Sequence, residues 1–235
     1  MTEQALASVL EIADDLYALP PGEFTAARDA RAKELKGTDL AITVKALKKP
    51  GLAAWVLNLL VRRETGQVDQ LLSVGAALRE AQAAMSAGEL RALTKQRRQV
   101  TAAVTQQARA LASEAGLKVT PAVADQVEAT LTAAMVDPDC GRALRSGLLV
   151  APLRSNGVDP VGEPALAAAL AVPQALGFSA TARSAPEPGP PSLRVVPDPD
   201  AAAKARAVAA ERLAEATQAH DEAAAAYDEA VDDVD

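Results

Sequence analysis

Apolar positions recur at helical spacing through the first two thirds of the chain, and the pattern breaks at Gly and Pro. Leu6, Val9, Leu10, Ala13, Leu16 and Tyr17 form one stripe of a first helix, which Leu19-Pro20-Pro21-Gly22 must end. A second helix is predicted from about Glu23 to Lys36, stopped by Gly37. Asp29 and Lys33 stand on it as a favourable i,i+4 pair. Thr38 is placed to cap a short third helix that must close before Pro50.

The stretch from Gly51 to about Glu64 is apolar nearly all round, the pattern of a helix at the centre of a bundle. Within it Trp55 reads as core. Asn58, in so apolar a segment, needs a hydrogen-bond partner if buried, and either fixes the packing register or lines a small site. A helix from about Val68 to Met85 follows. Ser86-Ala87-Gly88-Glu89 has the form of a capping box. It opens a long helix whose seam is Leu90, Leu93, Arg97, Val100, Val104, Ala108 and Leu111, closed by Gly116. Thr120-Pro121 and Asp137-Pro138 each put a capping side chain before a proline at the first helical position, so two more helices begin there.

From about Ala151 to Pro197 the periodicity dissolves and nine prolines fall, which predicts a Pro-rich linker with one or two transient helical turns between Glu163 and Val172. The pattern restarts at Asp198-Pro199 and runs unbroken to Asp235, about 55 Å if fully helical. There Ala209, Ala216, Ala223 and Ala230 recur every seven residues, and Leu213, His220, Tyr227 and Val234 recur every seven at an offset of four. This is a heptad seam of small residues alternating with larger ones. An Ala-rich segment also produces such spacing by composition alone. The expected architecture is therefore all-α. An irregular bundle of seven to eight helices covers 1–150, a flexible Pro-rich linker 151–197, and an acidic Ala-rich coiled-coil helix 198–235.

Composition supports helices over sheet. The chain has five aromatic residues, Tyr17, Phe24, Trp55, Phe178 and Tyr227, and two isoleucines, Ile12 and Ile42, whereas sheets draw on β-branched and aromatic side chains. Cys140 is the one cysteine, which leaves no intrachain disulfide and no Cys-based zinc cage. The first twenty residues hold four acids and no base, unlike a secretory leader. The longest strongly apolar run, Leu52 to Val61, is far short of the ~20 residues that span a bilayer. A soluble cytoplasmic protein is expected.

Charge divides unevenly. Residues 1–150 carry 18 basic and 17 acidic side chains, a balance of +1, and 151–235 carry 6 and 14, a balance of −8. The acidity belongs to the tail, and the two parts are of a sign to attract each other.

Candidate chemistry is sparse. Phosphate-binding Gly loops, nucleophile elbows and H-E-x-x-H metal motifs are absent from the sequence. His220 is the one histidine and stands in the tail seam. Cys140 lies just inside a helix start, where a thiol pKa is lowered, although a buried structural cysteine is the simpler reading. The expectation is a non-enzymatic protein with no cofactor, metal or small-molecule substrate. Its seam residues Leu213, His220, Tyr227 and Val234 would contact a protein partner or a second copy. The alternative is nucleic-acid association through Lys45, Lys48, Lys49, Arg62, Arg63, Lys95, Arg97 and Arg98 flanking the central helices. For Arg62 and Arg63, attraction to a helix C-terminus explains their position equally well.

Several short strings carry a resemblance. They are Leu16-Tyr17-Ala18-Leu19-Pro20 with Phe24-Thr25-Ala26-Ala27-Arg28, Lys45-Ala46-Leu47-Lys48-Lys49-Pro50, and Ala54-Trp55-Val56-Leu57-Asn58. Val127-Glu128-Ala129-Thr130-Leu131 leading to Ser146-Gly147-Leu148-Leu149-Val150-Ala151-Pro152-Leu153 completes the set. Over about residues 10–155 the chain resembles a family of Ala-rich actinobacterial helical proteins that often end in an acidic or mixed-charge coiled coil. The resemblance implies the helical fold and a bacterial origin. It implies no activity, cofactor or substrate, and no functional residue carries over.

Overall fold

In the computed structural model, residues 2–155 and 160–184 are described, together with residues 210, 211, 217 and 218 of the tail. Regular structure among them is all-helical. The first helix, α1 (Glu3–Tyr17), is capped by Thr2, whose hydroxyl accepts from the Ala5 amide at 3.3 Å. Of the expected stripe it buries Val9, Ala13, Leu16 and Tyr17 and half-buries Leu6 and Leu10, and it also buries Ile12 and Asp14. Helix α2 (Phe24–Glu34) buries only Phe24, whose ring meets Tyr17 edge-on at 5.0 Å. Gly37 takes a left-handed φ of 91° at the turn into α3 (Asp39–Ala46). Thr38 holds the cap position with extended backbone, but its hydroxyl donates back to the Leu35 carbonyl at 2.8 Å and does not cap α3.

Helix α4 (Leu52–Arg63) is the centre of the bundle: Ala53 through Asn58, Leu60, Val61 and Arg62 are all buried. Helices α5 (Thr65–Ala83) and α6 (Ala87–Glu114) pack on each other around a tight turn at Met85, an exposed residue at φ 52°. Ser86 makes no side-chain cap bond, so the anticipated capping box does not form. Helix α7 (Pro121–Val136) crosses α5 closely at Gly75, where a Cβ would come within 2.6 Å of the Met135 backbone. Helix α8 (Pro138–Arg145) follows directly. Both proline starts behave as the sequence suggests: Thr120 accepts from the Val123 amide, and Asp137 accepts from Asp139 at 2.8 Å.

The boundary at residue 150 is corrected by the structure. The first compact unit runs through Ala185, and much of the segment read as linker belongs to its core. Helix α9 (Glu163–Ala169) and a 3-10 turn (Pro173–Gly177) bury Leu166, Ala169 and Ala175, and Leu153, Leu170 and Val172 are buried beside them. Leu149 and Leu170 form an isolated antiparallel bridge, and the flanking amides of Val150 and Ala171 donate to Ala169 and Leu148 at 2.8 and 2.9 Å. The chain then runs back over the bundle as a strap, with Ala180 N donating to Arg145 O at 3.0 Å and Arg183 N to Arg62 O at 2.9 Å. Prolines do not oppose this, because Pro164 and Pro173 sit in first helical turns where no intrahelical N–H is needed. The remainder of the expected linker, 156–159 and 185–197, lies outside the described residues.

Candidate functional site

Three polar side chains project from buried α4 at i, i+3 and i+7: Trp55, Asn58 and Arg62. Each must find partners, because an unpaired polar group in a core costs on the order of 1–3 kcal/mol. Trp55 Nε1 donates to Leu19 O at 2.9 Å, fixing the chain that leaves α1. Asn58 pairs both ways with one residue, its Nδ2 donating to Leu149 O at 2.8 Å and its Oδ1 accepting from Leu149 N at 3.0 Å. The amide therefore replaces a strand neighbour for the segment after α8. Its role is packing register.

Arg62 is 2 % exposed and Asp14 4 %. Arg62 Nη2 donates to Asp14 Oδ1 at 2.6 Å and to Asp14 O at 3.2 Å. Nη1 donates to Asn58 O and Gly147 O at 3.0 and 2.9 Å. Gly147 is required here: its φ is 63°, and a Cβ would lie 2.6 Å from Arg62 Nη1 and 2.7 Å from Ala180 Cβ. The second Asp14 oxygen accepts from Thr181 N at 3.3 Å and faces Arg183 Nη2 at 3.6 Å, and Arg183 also reaches Asp15 Oδ1 at 2.6 Å. Burial pulls the Arg62 guanidinium below its ordinary pKa, opposed by the Asp14 charge. Desolvation offsets much of the attraction in such a pair. The consequence of the pair is geometric, since it joins α1, α4, the turn after α8 and the strap at one point.

This overturns Arg62 as a nucleic-acid contact, and a helix-end charge alone does not describe it. The other sequence-predicted cations do not converge into one patch. Lys45 is exposed and bonded to Asp29 at 2.8 Å, and Lys45 and then Arg28 hold that carboxyl below its ordinary pKa. Lys48 and Lys49 are exposed in the turn between α3 and α4, where the Lys48 carbonyl accepts the Tyr17 hydroxyl. Arg63 is half-buried. Lys95 and Arg98 are exposed on α6, but Arg97 points inward, half-buried, with its Nε shielded and lacking an acceptor among the described residues. Helix α3 packs mainly on α2 and α1, and α6 on α5, α4 and α7.

Sequence reading missed Arg91, Arg109 and Lys118. Arg91 and Arg109 share one side of α6 with Lys95 and Arg98, and the signal was available as i, i+4, i+7 spacing in a stretch, 90–113, that contains no acid. An open hollow of about 780 Å³ at the end of α6 is lined by Gln106, Arg109, Ser113 and Lys118, among others. A second open groove of about 570 Å³, between α2 and α3, contains Ile42, 72 % exposed.

Cys140 is buried as a free thiol, and burial, with Asp137 and Asp139 nearby, pushes its pKa up to about 12. The lowering considered for a helix start is overturned: lost hydration and two acids outweigh the helix end. Among the described residues no three His, Cys, Asp or Glu side chains are grouped to hold a metal ion. No described helix is long and apolar enough to cross a membrane. The seam residues Leu213, His220, Tyr227 and Val234 lie outside the described residues. Ala210, Glu211, Thr217 and Gln218 are helical and exposed, and none of them is a seam position. Compared with known proteins, the chain matches no family model, no curated protein and no solved structure.

Proposed function

We propose that this chain is a non-enzymatic interaction protein, in which a helical domain carries a tail helix that binds a protein partner or another copy of itself. The observation that supports this reading is the tail's seven-residue repeat, Leu213, His220, Tyr227 and Val234 alternating with Ala216, Ala223 and Ala230. A single helix has no interior, so a seam that is apolar but for His220 stays wetted until a second helix covers it. Alanines along one side of the seam allow that helix to approach closely. A cytoplasmic setting belongs to the same reading, supported by a lone cysteine held as a buried thiol.

The test is Leu213→Asp/Tyr227→Asp in the full chain. Burying carboxylates in an apolar seam is strongly unfavourable, so molar mass in solution and helix-dependent partner capture should fall while the domain's melting holds. Retention of both in the variant, or a wild-type chain that neither self-associates nor captures a partner, contradicts the reading.

A further inference from the structure

Ion pairs in the domain fall on the other helices and the strap. Arg28 and Lys45 hold Asp29, Arg31 holds Glu34, Arg142 holds Asp139, Arg145 holds Asp69, and Arg62 and Arg183 hold Asp14. Helix α6 differs. Arg91, Lys95, Arg98 and Arg109 have no ion-pair partner among the described residues, and all four are exposed. At 3.6 residues per turn they fall within about 60° of one another around the helix and extend along about 27 Å of it. Glu89 and Glu114, the acids near the ends of α6, project to another side, as does Gln107, which bonds Glu64. The track continues past the helix end, where Lys118 joins Arg109 in the open hollow.

From this segregation we infer that the outer face of α6 is a binding surface for the phosphate backbone of double-stranded nucleic acid, recognised without regard to sequence. Three features select this partner. The side chains between the cations are small or amide-bearing (Gln99, Ala102, Gln106), suited to phosphate and sugar contacts. An interfacial membrane helix needs bulky apolar side chains beside its cations, and the apolar residues Val104, Ala108 and Ala112 of α6 are buried in the bundle. Single strands are held by stacking on aromatic rings, and α6 has none. The chain's net charge of −7 opposes any polyanion at long range, so the surface is a low-salt, moderate-affinity one.

The experiment is fluorescence anisotropy of the full chain with a labelled duplex of about 20 base pairs, at about 50 mM and about 200 mM salt. With four or five phosphates neutralised, log affinity should fall against log salt with a slope near ~ −4, on the order of a hundredfold over that range. Arg91→Ala/Lys95→Ala/Arg98→Ala should weaken binding and flatten the slope by about 3, with an unchanged thermal melt. Lys48→Ala/Lys49→Ala is the control and should leave the slope as it is. The inference is overturned by absence of duplex binding at the lower salt. It is equally overturned by equal losses in both variants, or by a preference for single strands or anionic lipid vesicles over the duplex.

Discussion

Arg62 on α4 and Arg98 on α6 are the same residue type on neighbouring helices, with opposite surroundings. Arg62 is desolvated, and its terminal nitrogens hold three backbone carbonyls and one carboxylate. Arg98 is exposed and has no ion-pair partner among the described residues. The first joins four parts of the fold with both terminal nitrogens taken, and its Nε, which lacks an acceptor among the described residues, is buried out of a ligand's reach. The second contributes little to the fold and keeps its charge available. Residue type and position at a helix end therefore do not tell what a cation does. The acids and carbonyls brought beside it by distant parts of the chain decide that.

The largest effect is expected at Arg62. Arg62→Ala leaves buried Asp14 with only the longer contact to Arg183 and the Thr181 amide, which should cost about 3 kcal/mol, read as a lower denaturant midpoint. Asp14→Ala in the same background should then add much less than it does alone, because contacting residues are not additive. Independent costs at the two sites would mean that the pair is not the junction described above.

Asn58→Ala comes next. It strips Leu149 of both backbone partners and should cost about 1–3 kcal/mol. The loss should be accompanied by faster amide exchange at Leu149 and at Val150 and Ala171, which flank the bridge that Asn58 extends. A loss of stability with those amides still protected would separate Asn58 from the segment it is argued to hold.

Local signals were legible where a short stretch of chain determines the outcome. Thr120-Pro121 and Asp137-Pro138 cap as written, Gly37 and Gly116 take positive φ at helix ends, and the apolar span of α4 is the bundle centre. Even Asn58 announced its need for a partner. Thr38 and Ser86 had equally good local form, yet neither caps its helix. The segment 151–184 was misread for a different reason. Its prolines and short apolar runs are those of a linker, and its order comes with pairing to Leu148, Val150 and the carbonyls of Arg62 and Arg145. Those partners lie far away in sequence, so no periodicity reports them. Asp14 likewise sits on a regular amphipathic helix and gives no hint of burial. On α6 the reverse held: its stripe of cations was visible in the spacing, but Arg97, which points inward, was counted with it and Arg91 and Arg109 were not.

Cys140 supplies a smaller effect with a defined sign. Its folded pKa, about 12, lies above the roughly 8.5 of an unfolded thiol. The stabilising difference is therefore fully present below about pH 8.5 and is lost as pH rises from there toward 12. Tyr17, whose buried hydroxyl is also pushed up, adds to the loss above about pH 10. Denaturant midpoints at pH 7 and pH 9.5 should differ in the wild type and differ less in Cys140→Ala. A pH response unaffected by removing the thiol would contradict the burial argument.

The most direct test applies one conservative change to both helices. A lysine keeps the charge but not the planar fork that reaches several acceptors at once. Chemical denaturation of Arg62→Lys should show a loss of about 1–3 kcal/mol, whereas Arg98→Lys should stay within about 0.5 kcal/mol of wild type. If the two variants unfold at the same midpoint, Arg62 does not hold the fold together and the contrast between α4 and α6 is wrong.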